Sequence, residues 1–307
     1  MQAFGMSARV APSPVGAAGQ RRSPPRAVRG RIVAAQARAQ GFGDSHASPT
    51  HPGGLRLFLD SARVEDHRVW MPTQIFHGVT MSPHRLEEAN VACSVTNLRD
   101  MVKKCVDMGA QEVHVPTWGL DYQVMQEVGM RLTEGDMYRE RVVVKVPVTI
   151  EGVRAASWLT DQGVRVALVS VYSAHQAVTC VAAGAEYCVT CATSENALTA
   201  ALLSDLAFSN QDISAQMDSL TAHAGREVVE EMSTIVNALD SSCRVMVASC
   251  RGVGDIAYLS ARGVNTFALK PDVCEMLFSD PLTSEAALKF QFACSKQGAV
   301  SALGEIM

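Results

Sequence analysis

Arg141-Val142-Val143-Val144-Lys145-Val146-Pro147-Val148-Thr149-Ile150-Glu151-Gly152 sets five valines around a single lysine, Lys145. An unbroken run of β-branched residues is the pattern of a strand buried on both faces, as in a parallel sheet. Pro147 ends the run and Thr149 is placed to cap a following helix. A lysine inside such a strand is out of place, because burying an unpaired ammonium is costly. Lowering its pKa relieves that cost, and a neutral lysine amine is a nucleophile toward carbonyl carbon. The plain alternative is an edge strand, or a lysine whose head snorkels past Pro147 into water.

Outward from this strand, short apolar runs alternate with segments of helical period. The expected strands are Arg56–Asp60, Ile75–Thr80, Glu112–Thr117, Val142–Pro147, Val164–Tyr172, Glu186–Ala192, Arg244–Cys250 and Thr266–Pro271. The expected helices are Val64–Trp70, Ser94–Met108, Tyr122–Arg131, Gly152–Asp161, Ser173–Ala183, Arg226–Leu239, Val253–Ala261 and Asp272–Phe278, with a tail helix, Ser284–Lys296, after Pro281. Gly109, Gly163, Gly184 and Gly263 each fall just past a helix end, where a left-handed cap is wanted. Strand–helix alternation repeated eight times predicts an α/β fold closed into a single (β/α)8 TIM barrel rather than an open doubly wound sheet.

The amino-terminal part has a different composition. Residues 1–40 carry seven arginines and no Asp, Glu or Lys, and are rich in Ala, Ser, Pro and Gly. Such a segment reads as an organellar transit peptide, here toward a chloroplast (plastid stroma); the alternative is a basic arm that stays attached and binds an anion. Residues 41–54 read as linker and 55–307 as the barrel domain. Without the seven arginines the formal charge moves from −4 to −11, so the domain has no electrostatic footprint for nucleic acid or an anionic membrane. No apolar run is long enough to span a bilayer. Nine cysteines without a secretory signal argue against a disulfide framework. Cys188 and Cys191 match C-x-x-C, but residues three apart on a strand face opposite ways, which excludes a shared metal. No metal and no cofactor are expected. Self-association is left open.

In a barrel the chemistry sits at the carboxyl ends of the strands. That rule gathers Asp60 from the first strand, Thr80 and Ser82 after the second, His114 in the third and Lys145 in the fourth. Ser170 belongs to the fifth strand, Ser249 and Arg251 to the seventh, and Lys270 to the eighth. Each has a dull reading on its own: Asp60 as a helix cap, Arg251 as a solvated charge, His114 as a satisfied core histidine. Their convergence on one rim carries the argument.

With these residues in place, the chain resembles the transaldolase family, and in size its fructose 6-phosphate aldolase subgroup. The resemblance runs from Leu55 to about Phe290. Leu57-Phe58-Leu59-Asp60-Ser61-Ala62 is similar to the family's L-F-L-D-T-A, and Gly78-Val79-Thr80-Met81-Ser82-Pro83 to G-V-T-T-N-P. Lys145-Val146-Pro147-Val148-Thr149 with Glu151-Gly152 matches K-[IV]-P-x-T-x-E-G throughout. Ser173-Ala174-His175-Gln176-Ala177 with Ala183-Gly184-Ala185 resembles S-x-x-Q-A…A-G-A, and Ala248-Ser249-Cys250-Arg251 resembles A-S-[FI]-R.

The resemblance implies a Schiff-base enzyme acting on sugar phosphates of the pentose phosphate pathway. Lys145 would form the iminium, Asp60 would move the proton, and Ser249 with Arg251 would hold the phosphate. It also exposes departures. The asparagine after the second strand is Ser82 here, and the water-positioning residue of the third strand is His114. The threonine of the fifth strand aligns with Val169, with Ser170 beside it. The aromatic and arginine after the sixth strand are replaced by residues 191–194, so a second phosphate ligand is missing unless Lys270 supplies it. His114 is the candidate replacement for the proton shuttle. The rival reading is a degenerate barrel kept as a binding or assembly subunit.

Overall fold

A computed structural model describes residues 54–191, 211–250 and 252–296. Eight parallel strands close into one barrel in sequence order. They are β1 (Arg56–Asp60), β2 (Gly78–Thr80), β3 (Glu112–Pro116), β4 (Val142–Pro147), β5 (Arg165–Val171), β6 (Tyr187–Cys191), β7 (Arg244–Ala248) and β8 (Thr266–Leu269). β8 pairs back onto β1, with Arg56 opposite Thr266. The expected eight-stranded barrel is therefore what forms. The transit-peptide expectation, and the linker apart from Gly54, lie outside the described residues.

The helices are α1 (Val64–Trp70), α2 (Pro83–Glu88), α3 (Val95–Asp107), α4 (Tyr122–Leu132), α5 (Asp136–Arg141), α6 (Ile150–Asp161), α7 (His175–Ala182), α8 (Gln211–Ala238), α9 (Val253–Ser260), α10 (Pro271–Met276) and α11 (Pro281–Lys296). The two that periodicity does not predict, α2 and α5, have six residues each. Six residues are too few to display an apolar stripe. The signal for α2 is its start instead: the Ser82 hydroxyl accepts from the Arg85 backbone N–H, and Pro83 occupies the first turn. β2 is shorter than Ile75–Thr80 because a 3-10 turn over Met71–Thr73 and a left-handed Gln74 delay its pairing. No helix among the described residues is long and apolar enough to cross a membrane.

Side chains alternate between two apolar layers. Val142, Val144 and Val146 of β4 face outward and, with Leu59, Val113, Leu168 and Val247, pack against Leu98, Leu132, Leu159 and Met232 of the surrounding helices. Val143 faces inward with Phe58, Ala167, Tyr187, Met246 and Ala268. Burial on both faces explains the unbroken valine run. Two glycines permit close backbone approaches. A Cβ on Gly152 would lie 1.8 Å from the Pro147 carbonyl oxygen, so the turn from β4 into α6 closes only around glycine. A Cβ on Gly78 would lie 2.0 Å from the Glu112 carbonyl oxygen.

The amino-terminal end of the barrel is plugged by charge. Glu112 accepts from Arg56 Nη1 at 3.0 Å, from Arg165 Nη2 at 2.7 Å and from the Tyr187 hydroxyl at 2.6 Å. Tyr187 in turn accepts from Arg56. Arg165 spans to Glu186 through Nε at 2.7 Å and Nη2 at 2.6 Å. Burial alone would raise the Glu112 carboxyl, yet Arg165, the two histidines His114 and His77, and Arg56 together hold it well below the usual carboxylate range. Conserving charge balance in this plug is a matter of stability, since chemistry belongs to the other end.

Candidate active site

Lys145 lies on the inward-facing register of β4, one pleat above Val143. Its Nζ crosses the mouth to β2, donating to Thr80 Oγ1 at 3.1 Å and to the Met81 carbonyl at 2.9 Å. Both acceptors are neutral. Burial lowers the lysine pKa; Asp60 opposes this, Arg85 adds to it and Cys191 opposes it. The net direction is down, which leaves more free amine at a given pH than an exposed lysine would show. The snorkelling alternative fails, because the head is turned into the barrel mouth rather than out past Pro147.

Asp60 ends β1, with Thr80 as its direct register partner on β2. Its Oδ2 accepts from Arg85 Nε at 3.2 Å. Arg85 stands on α2 and also donates through Nη1 to Glu88 Oε2 at 2.6 Å. Among the described residues, the ion pairs of Asp60 do not include Lys145. The carboxylate and the amine therefore share a mouth and sense each other electrostatically without being locked together.

His114 is fully buried on β3, beneath the lysine rather than beside its amine. Its Nε2 lies 3.4 Å from Glu112 Oε2, and its ring packs on Phe58 and Tyr187 at centroid distances of 4.6 and 4.7 Å. Burial pushes its pKa down to about 4 despite Glu112, so the imidazole is neutral near pH 7. Neutral and facing an anion, Nε2 carries the proton, while Nδ1 is buried without a hydrogen-bond partner. The expected proton shuttle is thus coupled first to the charged plug below.

Thr80 is buried and holds the lysine. Ser82 is half-buried, and its hydroxyl caps α2. β5 carries a bulge between Leu168 and Val171, where Ser170 adopts a left-handed φ of 61° and is exposed; Val169 packs against the inner apolar layer. Ser249, just past β7, has a left-handed φ of 56°. Both are non-glycine residues in this sparsely populated region, as Gln74, Asn90 and Asp240 are elsewhere in the chain, and both lie at carboxyl ends of strands. Lys270 follows β8 on the register that points Thr266 and Ala268 inward, and is half-buried at the start of α10. Arg251 lies outside the described residues, as do positions 192–194.

Of the C-x-x-C pair, Cys188 is buried in the outer apolar layer and Cys191 is half-buried at the end of β6, where Lys145 and Tyr172 sense it. All nine cysteines are free. Among the described residues no group of three or more His, Cys, Asp or Glu side chains is placed to hold a metal.

Two residues escape the sequence reading. Glu112 sits among strand residues where its charge is unremarked until Arg56 and Arg165 are brought to it from 56 and 53 positions away. Arg85 belongs to the short helix that periodicity misses. The serine–proline start at Ser82-Pro83 is the signal that would have located it.

Comparison with known proteins places the chain in a family. A model of the family described as Transaldolase/Fructose-6-phosphate aldolase matches residues 57–303. The probable transaldolase of Aquifex aeolicus is 27% identical over 236 residues, covering 77% of this chain and 94% of that protein. That of Kosmotoga olearia is 26% identical over 236 residues, with the same coverage of 77% and 94%. That of Phenylobacterium zucineum is 25% identical over 246 residues, covering 80% and 98%. The chain belongs to the transaldolase/fructose-6-phosphate aldolase family and, by that membership, is a transaldolase-type enzyme.

Proposed function

We propose that the chain acts as a transaldolase-type transferase/aldolase on sugar phosphates of the pentose phosphate pathway through a Schiff base on Lys145, inside a plastid. One observation carries this reading: a lysine amine turned into the carboxyl end of the barrel, bonded among the described residues to Thr80 and Met81 oxygens, with its pKa lowered by burial. The amine nitrogen attacks the ketone carbon of the donor, and the carbonyl oxygen leaves as water. Asp60 accepts the proton of the hydroxyl next to the breaking carbon–carbon bond, whose electron pair flows into the iminium to give an enamine. The aldose departs. The enamine carbon then attacks an acceptor aldehyde, Asp60 returns the proton, and water releases the product from the lysine.

Ser249, Arg251 and Lys270 are assigned to the phosphate, with Ser82 and Ser170 toward the sugar hydroxyls. A guanidinium supplies the fork geometry suited to phosphate oxygens. His114 is assigned to the proton relay, its neutral imidazole having one nitrogen free to accept. No cofactor takes part, because the iminium is itself the electron sink. The plastid address rests on residues 1–40; an intact Met1 in protein isolated from its native source sinks that part.

Borohydride reduction in the presence of fructose 6-phosphate, sedoheptulose 7-phosphate or dihydroxyacetone tests the mechanism. The expected outcome is a stable adduct on Lys145, absent from Lys145→Met. Asp60→Ala should still give the adduct while turnover falls by about 10²–10⁴. An adduct on another lysine such as Lys270, or none with any ketose, returns the barrel to a binding-subunit role.

A further inference from the structure

The charges at the mouth are arranged in an order that the mechanism above does not explain. Asp60 and Lys145 are opposite charges on neighbouring parts of one rim, and the simplest arrangement would be a direct ion pair. The carboxylate instead turns to Arg85, at 3.2 Å, while the ammonium turns to Thr80 and Met81. Arg85 is held from its other side by Glu88, at 2.6 Å, and Ser82 caps the helix that carries it. Its guanidinium is largely buried, with 14% of the side chain exposed, so it is a fixed element of the wall rather than a surface charge.

We propose that Arg85 is a positioning residue that occupies Asp60, keeping the carboxylate from closing onto Lys145 and leaving the amine free to attack a ketone. The proposal rests on the Schiff-base reading. An Asp60–Lys145 pair would hold the lysine as ammonium, unable to act as a nucleophile, and would block the carboxylate oxygen that must meet the substrate hydroxyl. Neutralising Asp60 with an arginine avoids both, because a guanidinium remains protonated throughout the working range. Two carboxylates already share Arg85, which argues against its serving as a phosphate ligand. Among the described residues, the charged or titratable groups bearing on Lys145 are Asp60 from β1, Arg85 from α2, His114 from β3 and Cys191 from β6. Within that set Arg85 pushes the lysine toward the free amine, as burial does.

The test is the pH profile of borohydride trapping with dihydroxyacetone, which has no phosphate and so isolates the amine from anion binding. In Arg85→Met the midpoint for trapping should move up by about one pH unit, a roughly tenfold loss near pH 7 that disappears at alkaline pH. Arg85→Lys should restore most of the original profile. Combining Arg85→Met with Asp60→Asn should bring the midpoint back down, since the carboxylate that would capture the lysine is gone. A wild-type chain that traps while Arg85→Met and Arg85→Lys leave the midpoint unmoved overturns the role of Arg85 alone. So does a loss in Arg85→Met that alkaline pH fails to recover, which is the signature of a merely structural residue. Absence of trapping in the wild-type chain at every pH overturns the Schiff-base reading and this proposal with it.

Discussion

The two ends of the barrel both bury charge, and they treat it in opposite ways. At the amino-terminal end Glu112 is saturated: two arginines and a tyrosine reach it, and a second carboxylate, Glu186, shares Arg165. At the carboxyl end the partners of Lys145 among the described residues are neutral oxygens, and the nearby carboxylate is committed to Arg85. A charge fully matched by its neighbours is fixed in one protonation state and contributes rigidity. An amine with neutral oxygens for partners is held less firmly in its ionised form, and burial lowers the Lys145 pKa, the direction that covalent chemistry on an amine requires. His114 lies between the two ends and belongs electrostatically to the lower one.

If that contrast is right, the two ends should answer differently to substitution. Glu112→Gln leaves Arg56 and Arg165 buried without their carboxylate, and should destabilise the fold by about 3–5 kcal/mol. Lys145→Met removes a half-buried charge that has no ion-pair partner among the described residues, and thermal melting should stay near wild type or rise. Melting curves of the two variants check both statements; equal destabilisation would break the distinction between a structural and a chemical end.

The pH dependence of stability sharpens the same point. The folded-state pKa of His114 is lowered to about 4, against about 6.5 in an unfolded chain, so the unfolded state binds the additional proton. Stability should therefore decline as pH falls from about 6.5 toward about 4, by on the order of 3 kcal/mol, and His114→Phe should remove this part of the decline. Glu112 contributes in the same sense at lower pH: its folded pKa is depressed, so its share is present above the usual carboxylate range and is lost as pH falls through the depressed value. Denaturant midpoints between pH 4 and pH 8 measure the His114 share.

The smallest expected effect is at Ser82. Its hydroxyl caps α2, and Ser82→Ala should cost about 1 kcal/mol. That corresponds to about 2–4 °C in melting temperature. Because α2 carries Arg85, a change in trapping beyond this small loss would place Ser82 on the substrate as well as on the helix. Unchanged trapping would confine it to the cap.

Much of this was legible along the chain because it depends on local rules. Strand and helix periods predict eight strand–helix units, and β1 and β4 run over the residues expected of them. Gly109, Gly163, Gly184 and Gly263 all adopt the left-handed conformation anticipated at helix ends. An isolated lysine among valines declares itself, since nothing in a doubly buried strand otherwise explains a charge. The composition of residues 1–40 is likewise a statement that sequence makes without help from a fold.

Tertiary structure alone decided who partners whom. Whether Asp60 faces Lys145 or Arg85 depends on the stagger of β1 against β2 and on a six-residue helix too short to advertise itself. Glu112 meets Arg56 and Arg165 only because barrel closure brings three strand starts to one level. Ser170 and Ser249 enter the left-handed region where a bulge and a strand end displace the backbone, and serine carries no local sign of it. Periodicity is carried by neighbours a few residues apart, and so it survives in sequence. The pairs Arg85–Asp60, Arg165–Glu112 and Arg56–Glu112 join groups 25, 53 and 56 positions apart, and only closure of the barrel sets those distances.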